Sequence, residues 1–187
     1  MNIKKCLNFV RKLSPYNIQK GLRYLKHFGL KEFLIRLSDR IEPEDVPYGP
    51  WYEAHKASEK ELDAQRKTVF NRQPRISIAV PLYRTPERFL REMIESVRSQ
   101  TYGNWELCLA DGSGASAGCR AVLEEYAALD SRIRVKYLKK NQGIAGNTNE
   151  ALAMAGGDYI GLLDHDDLLA PDALYEIVKR LQDGTQP

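Results

Sequence analysis

This 187-residue chain lacks any apolar run approaching the ~20 residues that a membrane-spanning helix needs, and no stretch of it reads as a cleavable signal peptide. Its three cysteines, Cys6, Cys108 and Cys119, are odd in number and have no CxxC spacing. That argues against a disulfide framework and a zinc site, and it fits a reducing cytoplasm. No G-x-x-x-x-G-K-S/T loop is present, which removes P-loop chemistry. Acidic residues are scarce in the first forty positions, where ten Lys or Arg face only Glu32 and Asp39. What remains is a globular composition, 43% hydrophobic and 28% charged, at a length that holds one ordinary domain plus an appendage.

The basic segment is periodic. Ile3, Cys6, Leu7, Val10 and Leu13 recur at helical spacing, Ser14-Pro15 reads as a cap and first-turn proline, and Ile18, Leu22 and Leu25 continue a stripe. A further helix is expected from about Lys31 to Ile41, carrying Phe33, Leu34 and Leu37. Such a segment, residues 1–40, suits the anionic inner face of the plasma membrane, with cations over headgroups and apolar side chains among acyl chains. It suits docking on the body of the same protein equally well. Nucleic acid is disfavoured, because the basic residues are not interleaved with an aromatic stacking platform. Glu42 to Pro50 holds three prolines and a glycine and reads as a linker, and a charged, helix-prone stretch follows to about Phe70. The expected organisation is a helical region 1–41, a linker and charged helix 42–74, and a compact domain 75–187.

Within that domain, Ile76–Val80, Trp105–Ala110, Ile133–Leu138 and Tyr159–Leu163 read as strands. Helices are expected between them: one capped by Thr85-Pro86 with Phe89, Leu90, Met93, Ile94 and Val97 on its apolar face, one over about 117–129, one over about 145–155, and a last from Pro171 to about Gln182. The alternation predicts an α/β fold, a Rossmann-like and largely parallel sheet flanked by helices, with ligand at the carboxyl ends of the strands.

The last strand ends abruptly in Asp164-His165-Asp166-Asp167. Were the extended conformation to persist, Asp164 and Asp166 would share a side and offer oxygens to one hard divalent cation, which in turn would hold a phosphate. Repulsion among the three carboxylates calls for a metal, a basic partner or proton uptake. Helix capping and solvated turn residues are the plainer reading. An EF-hand starting at Asp164 fails, since Leu169 and Tyr175 stand where glycine and a bidentate acid are required. Gly112-Ser-Gly114 fits a loose dinucleotide fingerprint, but Lys139-Lys140 follows the next strand where an acidic residue is needed. A phosphatase of the haloacid dehalogenase type, with Asp164 as nucleophile, stays open, although Leu168 departs from the Thr or Val usual there. Its DxD also tends to lie early in the domain, whereas three strands precede this one.

Taken in order, Val80-Pro81-Leu-Tyr83, Ser99-Gln-Thr-Tyr102, Trp105-Glu106, Asp111-Gly-Ser113, Asn141-Gln-Gly143, Gly156-Gly-Asp-Tyr-Ile160 and Leu163-Asp164-His-Asp166-Asp167 resemble family 2 glycosyltransferases of the GT-A fold over about residues 75–182. The resemblance implies transfer of a sugar from a nucleoside diphosphate donor to a glycan or lipid-linked acceptor, with inversion at the anomeric carbon. It places Pro81, Tyr83 and Asp111 at base and ribose and Asn141 near the nucleotide. Asp166 would contact Mn2+ or Mg2+, and Asp164 the ribose or the metal's water shell. Asp167 would assist or cap the next helix.

Three departures qualify it. Ala110 precedes a single Asp111 where many relatives pair two aspartates. Thr148 stands where many have arginine. The general base that deprotonates the acceptor is expected beyond Pro187, which makes a truncated, donor-binding form or a non-catalytic nucleotide-sugar module the alternative. The letters around Gly143 and Asp164 look like members that build O-antigen or rhamnan polysaccharides.

Overall fold

Gly29 sets the shape of the first helical segment. The computed structural model describes residues 15–41, 48–114 and 118–182 and falls into two compact units, Met1–Lys56 and Ala57–Pro187. Helix α1 (Pro15–Ile41) is interrupted at Gly29, whose φ of 80° and ψ of 171° suit glycine and little else. A Cβ placed on Gly21 would lie 3.6 Å from the Phe33 ring. A straight helix would hold those positions about 18 Å apart, so the two halves fold back on one another. The two helices expected on either side of Gly29 are thus one interrupted element, while the helix expected over 3–13 lies outside the described residues.

Two short helices replace the single charged one. Helix α2 (Tyr48–His55) takes in Tyr48, Gly49 and Pro50, assigned to the linker above, because a proline in the first turn forfeits no helical hydrogen bond. Helix α3 (Glu59–Arg66) starts afresh at Ser58, which accepts from the Glu61 N–H while the Glu61 carboxylate accepts from the Ser58 N–H at 2.7 Å. This reciprocal cap fixes where α3 begins.

The four apolar runs become β1 (Ile76–Leu82), β2 (Trp105–Asp111), β3 (Ile133–Tyr137) and β4 (Tyr159–Leu162), all parallel, in the order β3-β2-β1-β4. Parallel neighbours require crossovers, supplied by α4 (Glu87–Arg98), α5 (Cys119–Leu129) and α6 (Gly143–Leu152). Helix α7 (Ala173–Gln182) follows β4. One sheet face carries Ile76, Ile78, Val80, Trp105, Leu107 and Leu109 into the main core with Leu90, Met93, Val97, Leu123 and Val178. On the other face the small side chains of Ala79 and Ala110 let α6 approach through Ala151. Phe89, expected in the core, is 43% exposed, and Thr85 does not cap α4: Pro86 holds the N-cap position without a side-chain bond.

One buried carboxylate ties the amino ends of the strands together. Glu106 is fully buried on β2. It accepts from the Ser77 hydroxyl of β1 at 2.7 Å and the Gly156 N–H at 2.6 Å, and it pairs with Arg75 at 2.9 Å and with Arg134 of β3 at 3.2 Å. Ser77 in turn accepts from the Gly157 N–H at 2.9 Å. No side chain fits at Gly157, where a Cβ would sit 2.5 Å from the Arg75 carbonyl. Burial alone would push the Glu106 carboxyl up; the Gly156, Ser77, Arg134 and Arg75 donors outweigh it and hold the group below its ordinary 4.5.

A carboxyl depressed in the folded state contributes stability above its unfolded value and loses it as pH falls through the folded one. Glu106→Gln is therefore expected to flatten the acid limb of stability below about pH 4.5, and Glu106→Ala to cost about 3 kcal/mol at pH 7 through orphaned donors. Urea unfolding followed by circular dichroism across pH checks both.

Candidate functional site

The strand order places a switch point at the carboxyl ends of β1 and β4. From β1 the chain winds outward through β2 and β3, then returns to add β4 on the other side of β1. A crevice is expected between such oppositely running connections. A cleft of about 310 Å3 lies there, lined by Pro81, Leu82 and Tyr83 after β1, by Asn141, Gly143, Ile144 and Asn147 at the start of α6, and by Asp164, His165 and Asp166 after β4.

Its walls are held by one carbonyl. The Leu82 oxygen at the end of β1 accepts from the Gly112 N–H at 3.0 Å and from the Asn147 Nδ2 at 3.2 Å. Asn147, only 2% exposed, also donates to the Asn141 Oδ1 at 3.0 Å and accepts from the Gln142 N–H at 3.0 Å. Asn141 accepts from the Gly143 N–H at 3.0 Å, across a turn that Gly143 makes at φ 76°. Gly112 packs so closely that a Cβ would lie 2.8 Å from the Asn147 amide nitrogen. One buried asparagine thus fixes three connecting segments. Asn147 is not among the residues singled out from the sequence, where its place in the Gly- and Asn-rich run Gly143-Ile-Ala-Gly-Asn-Thr-Asn149 is the one available signal.

The carboxylates arrive by a turn. Pairing ends at Leu162, Leu163 still donates to the Ala79 carbonyl at 3.2 Å, and the Asp167 N–H closes back on the Asp164 oxygen at 3.2 Å. Asp164 and Asp166 therefore share the cleft without the persistent extended backbone that their spacing suggested. Asp166 is 62% exposed, and the buried Nδ1 of His165 lies 3.7 Å from its Oδ1 with no hydrogen-bond partner. Asp167 is six residues short of α7 and so does not cap it.

Asp111 stands apart from the expected set. It is 2% exposed and absent from the cleft lining; its Oδ1 accepts from the Ser113 N–H at 2.9 Å, and the Cys119 thiol points at its Oδ2 from 4.0 Å. Ser113 then accepts from the Arg84 N–H at 2.7 Å, with Arg84 at φ 51° and its guanidinium 5.2 Å from the Tyr83 ring. Asp111 shapes the loop beneath Tyr83, while Tyr83 itself is 42% exposed and open to stacking.

Among the described residues no Lys or Arg lines the cleft, and two carboxylates do. Among the described residues no group of three or more His, Cys, Asp or Glu gathers as a metal cage. This donor set still fits a hard divalent ion, which is commonly held by one or two carboxylates with water and substrate phosphates completing the shell. The N-terminus of α6, at Gly143 and Ile144, faces the same space with its partial positive charge.

Residues 77–186 match the model of the family described as glycosyl transferase family 2. The chain belongs to that family. A relative from Myxococcus xanthus, O-antigen biosynthesis protein RfbC, is 34% identical over 168 residues, 90% of this chain and 13% of that protein. An uncharacterized protein y4gI from Sinorhizobium fredii is 50% identical over 106 residues, 57% of this chain and 12% of that one. This chain thus spans a small part of the relatives it matches.

Two solved structures share the GT-A fold. One is a mannosyltransferase from Pyrobaculum calidifontis in complex with GDP-Man and Mn2+, at TM-score 0.53 and 22% identity, covering 64% of this chain and 37% of that one. The other is Staphylococcus aureus TarS 1-349 in complex with UDP-GlcNAc, at TM-score 0.54 and 22% identity, covering 58% and 31%. The fold expected from the strand and helix pattern is the one observed.

Asn147→Ala leaves the Gln142 N–H without its acceptor in a nearly dry site, and is expected to cost about 2 kcal/mol. Asn147→Asp is expected to cost at least as much, since a carboxylate cannot donate to the Leu82 carbonyl. Urea midpoints of the two variants measure this, and equal midpoints with the parent chain contradict the bridging role.

Proposed function

We propose that this chain is the donor-binding part of a metal-dependent, inverting glycosyltransferase that moves a sugar from a nucleoside diphosphate to a polysaccharide or lipid-linked acceptor. The observation that carries this reading is the charge of the cleft. A diphosphate brought against Asp164 and Asp166, with no Lys or Arg lining the cleft among the described residues, meets repulsion unless a divalent cation bridges the two. Mn2+ or Mg2+ held by Asp166, with Asp164 on the ribose or the ion's water shell, turns that repulsion into the binding determinant. When bound, the ion neutralises charge on the departing diphosphate.

The chain's own groups then orient the donor. Tyr83 and Pro81 flank the base, Asn141 lies near the nucleotide, and Asp111 acts on it indirectly by setting the Ser113 loop. The relatives' names and the bound GDP-Man and UDP-GlcNAc of the structural neighbours support a nucleotide-sugar donor and envelope polysaccharide work. The acceptor is taken to be presented at the inner face of the plasma membrane, with residues 1–40 as the chain's contact there. Among the described residues no helix is long and apolar enough to cross a membrane.

Calorimetric titration with UDP, GDP and dTDP tests the donor site. Binding is expected with Mn2+ present and to weaken at least tenfold, about 1.4 kcal/mol, in Asp166→Ala or with chelator. Metal-independent binding, or release of inorganic phosphate from simple phosphoesters in place of nucleotide binding, contradicts it and favours the phosphatase reading.

A further inference from the structure

The unit Met1–Lys56 carries two features that the donor site does not use. The first is α1. On either side of the Gly29 reversal its apolar side chains form a stripe: Ile18, Leu22, Leu25 and Phe28 before it, Leu30, Phe33 and Leu34 after it. The stripes are out of phase with each other, because the helix is interrupted between them. Ile18, Leu22, Phe28, Leu30 and Leu34 are all about half exposed or more, with relative exposures from 47% to 62%. Pro15–Ile41 also carries six Lys or Arg against two acids.

The second feature is α2, in which no residue is buried. Tyr48, Trp51, Tyr52 and His55 recur at helical spacing on one face. The Tyr48 and Tyr52 rings stack at 5.8 Å, and Trp51 and His55 stack at 4.7 Å. Tyr48 is 69% and Trp51 48% exposed. Such an aromatic face, apolar in body and polar at its tips, is the side-chain chemistry of the headgroup layer of a bilayer.

We propose that α1 and α2 together form an interfacial element for an anionic lipid surface, with α1 laying its apolar stripes among the acyl chains and α2 seating its aromatic face at headgroup level. Charge complementarity selects this occupant: the excess of cations on α1 matches acidic headgroups, and each Lys or Arg near such a surface strengthens binding about fivefold. A glycan would use the rings of α2 but has no use for the cations or stripes of α1. The proposal rests on residues 1–40 facing a membrane, and extends that contact to a second helix and to a lipid chemistry.

The chain supplies its own reporter. It has two tryptophans, and Trp105 is 1% exposed in the core, so a change in emission on binding reports Trp51. The whole chain is titrated with vesicles of phosphatidylcholine containing about one-third phosphatidylglycerol, with pure phosphatidylcholine as the comparison. Binding with a blue shift of the emission is expected on the anionic vesicles only. It should be weakened by salt, and by at least tenfold in Lys20→Gln/Lys26→Gln. Trp51→Phe should bind the vesicles without the shift.

No binding to anionic vesicles overturns the proposal and the membrane reading of residues 1–40 together. Binding without a Trp51 shift overturns the part assigned to α2 alone, as does a shift produced by soluble oligosaccharide without vesicles. Nucleotide titration of the same sample is read separately, so loss of donor binding and loss of lipid binding are distinguishable.

Discussion

A carboxylate with no access to water decides how this sheet is assembled. Glu106 sits where four segments meet: β1 through Ser77, β3 through Arg134, the turn into β4 through Gly156, and the approach to β1 through Arg75. Burying an ion is costly unless its lone pairs are matched, and here two neutral donors and two guanidiniums match them. The guanidiniums are about half exposed, so they keep much of their hydration while the carboxylate loses its own. Because β4 enters beside Arg75 and Ser77, its register on β1 is fixed at Ile76↔Tyr159. That register delivers Asp164 to the far end of the sheet at the level of the Tyr83 segment.

At the opposite end the same task falls to an uncharged residue. The Leu82 carbonyl and the Asn147 amide bind the β1, β2 and β3 connections to one another, and the cleft is the space left between them and the carboxylate turn. The two ends therefore divide the work. The buried charge stands at the Glu106 end, and neutral groups hold the frame at the cleft end, where Asp164 and Asp166 are the lining carboxylates. On the proposed reading, two carboxylates facing a diphosphate couple donor affinity to a divalent cation.

The strands were legible because each is a short continuous or alternating apolar run set between longer helical patterns, and it is length and flanks rather than period that separate such a run from a buried helix. The carboxylate cluster was legible for the same reason: an apolar run that stops on charge marks a strand end. What could not be read depends on local competition between side chain and backbone. The turn in which the Asp111 Oδ1 accepts from the Ser113 N–H two residues on is one such case. Thr85 looked like a cap, yet Pro86 took that position, leaving the Thr85 hydroxyl buried and unpartnered. The reversal at Gly29 was written only as a change of phase between the stripe of Ile18, Leu22 and Leu25 and that of Phe33, Leu34 and Leu37. Such a slip looks like loose periodicity until a contact such as Gly21 with Phe33 closes it.

The proposed function brings the Asn141–Asn147 segment and the Asp164–Asp166 turn together on one metal-bound diphosphate. Nuclear magnetic resonance of the labelled chain with UDP or GDP and trace Mn2+ tests it directly, since the paramagnetic ion broadens only nearby amides. Selective broadening of Gly143, Ile144, His165 and Asp166, with Gly156 and Gly157 at the Glu106 end left sharp, is the predicted result. Sharp signals throughout the cleft at saturating nucleotide, or broadening centred away from Asp166, would contradict it.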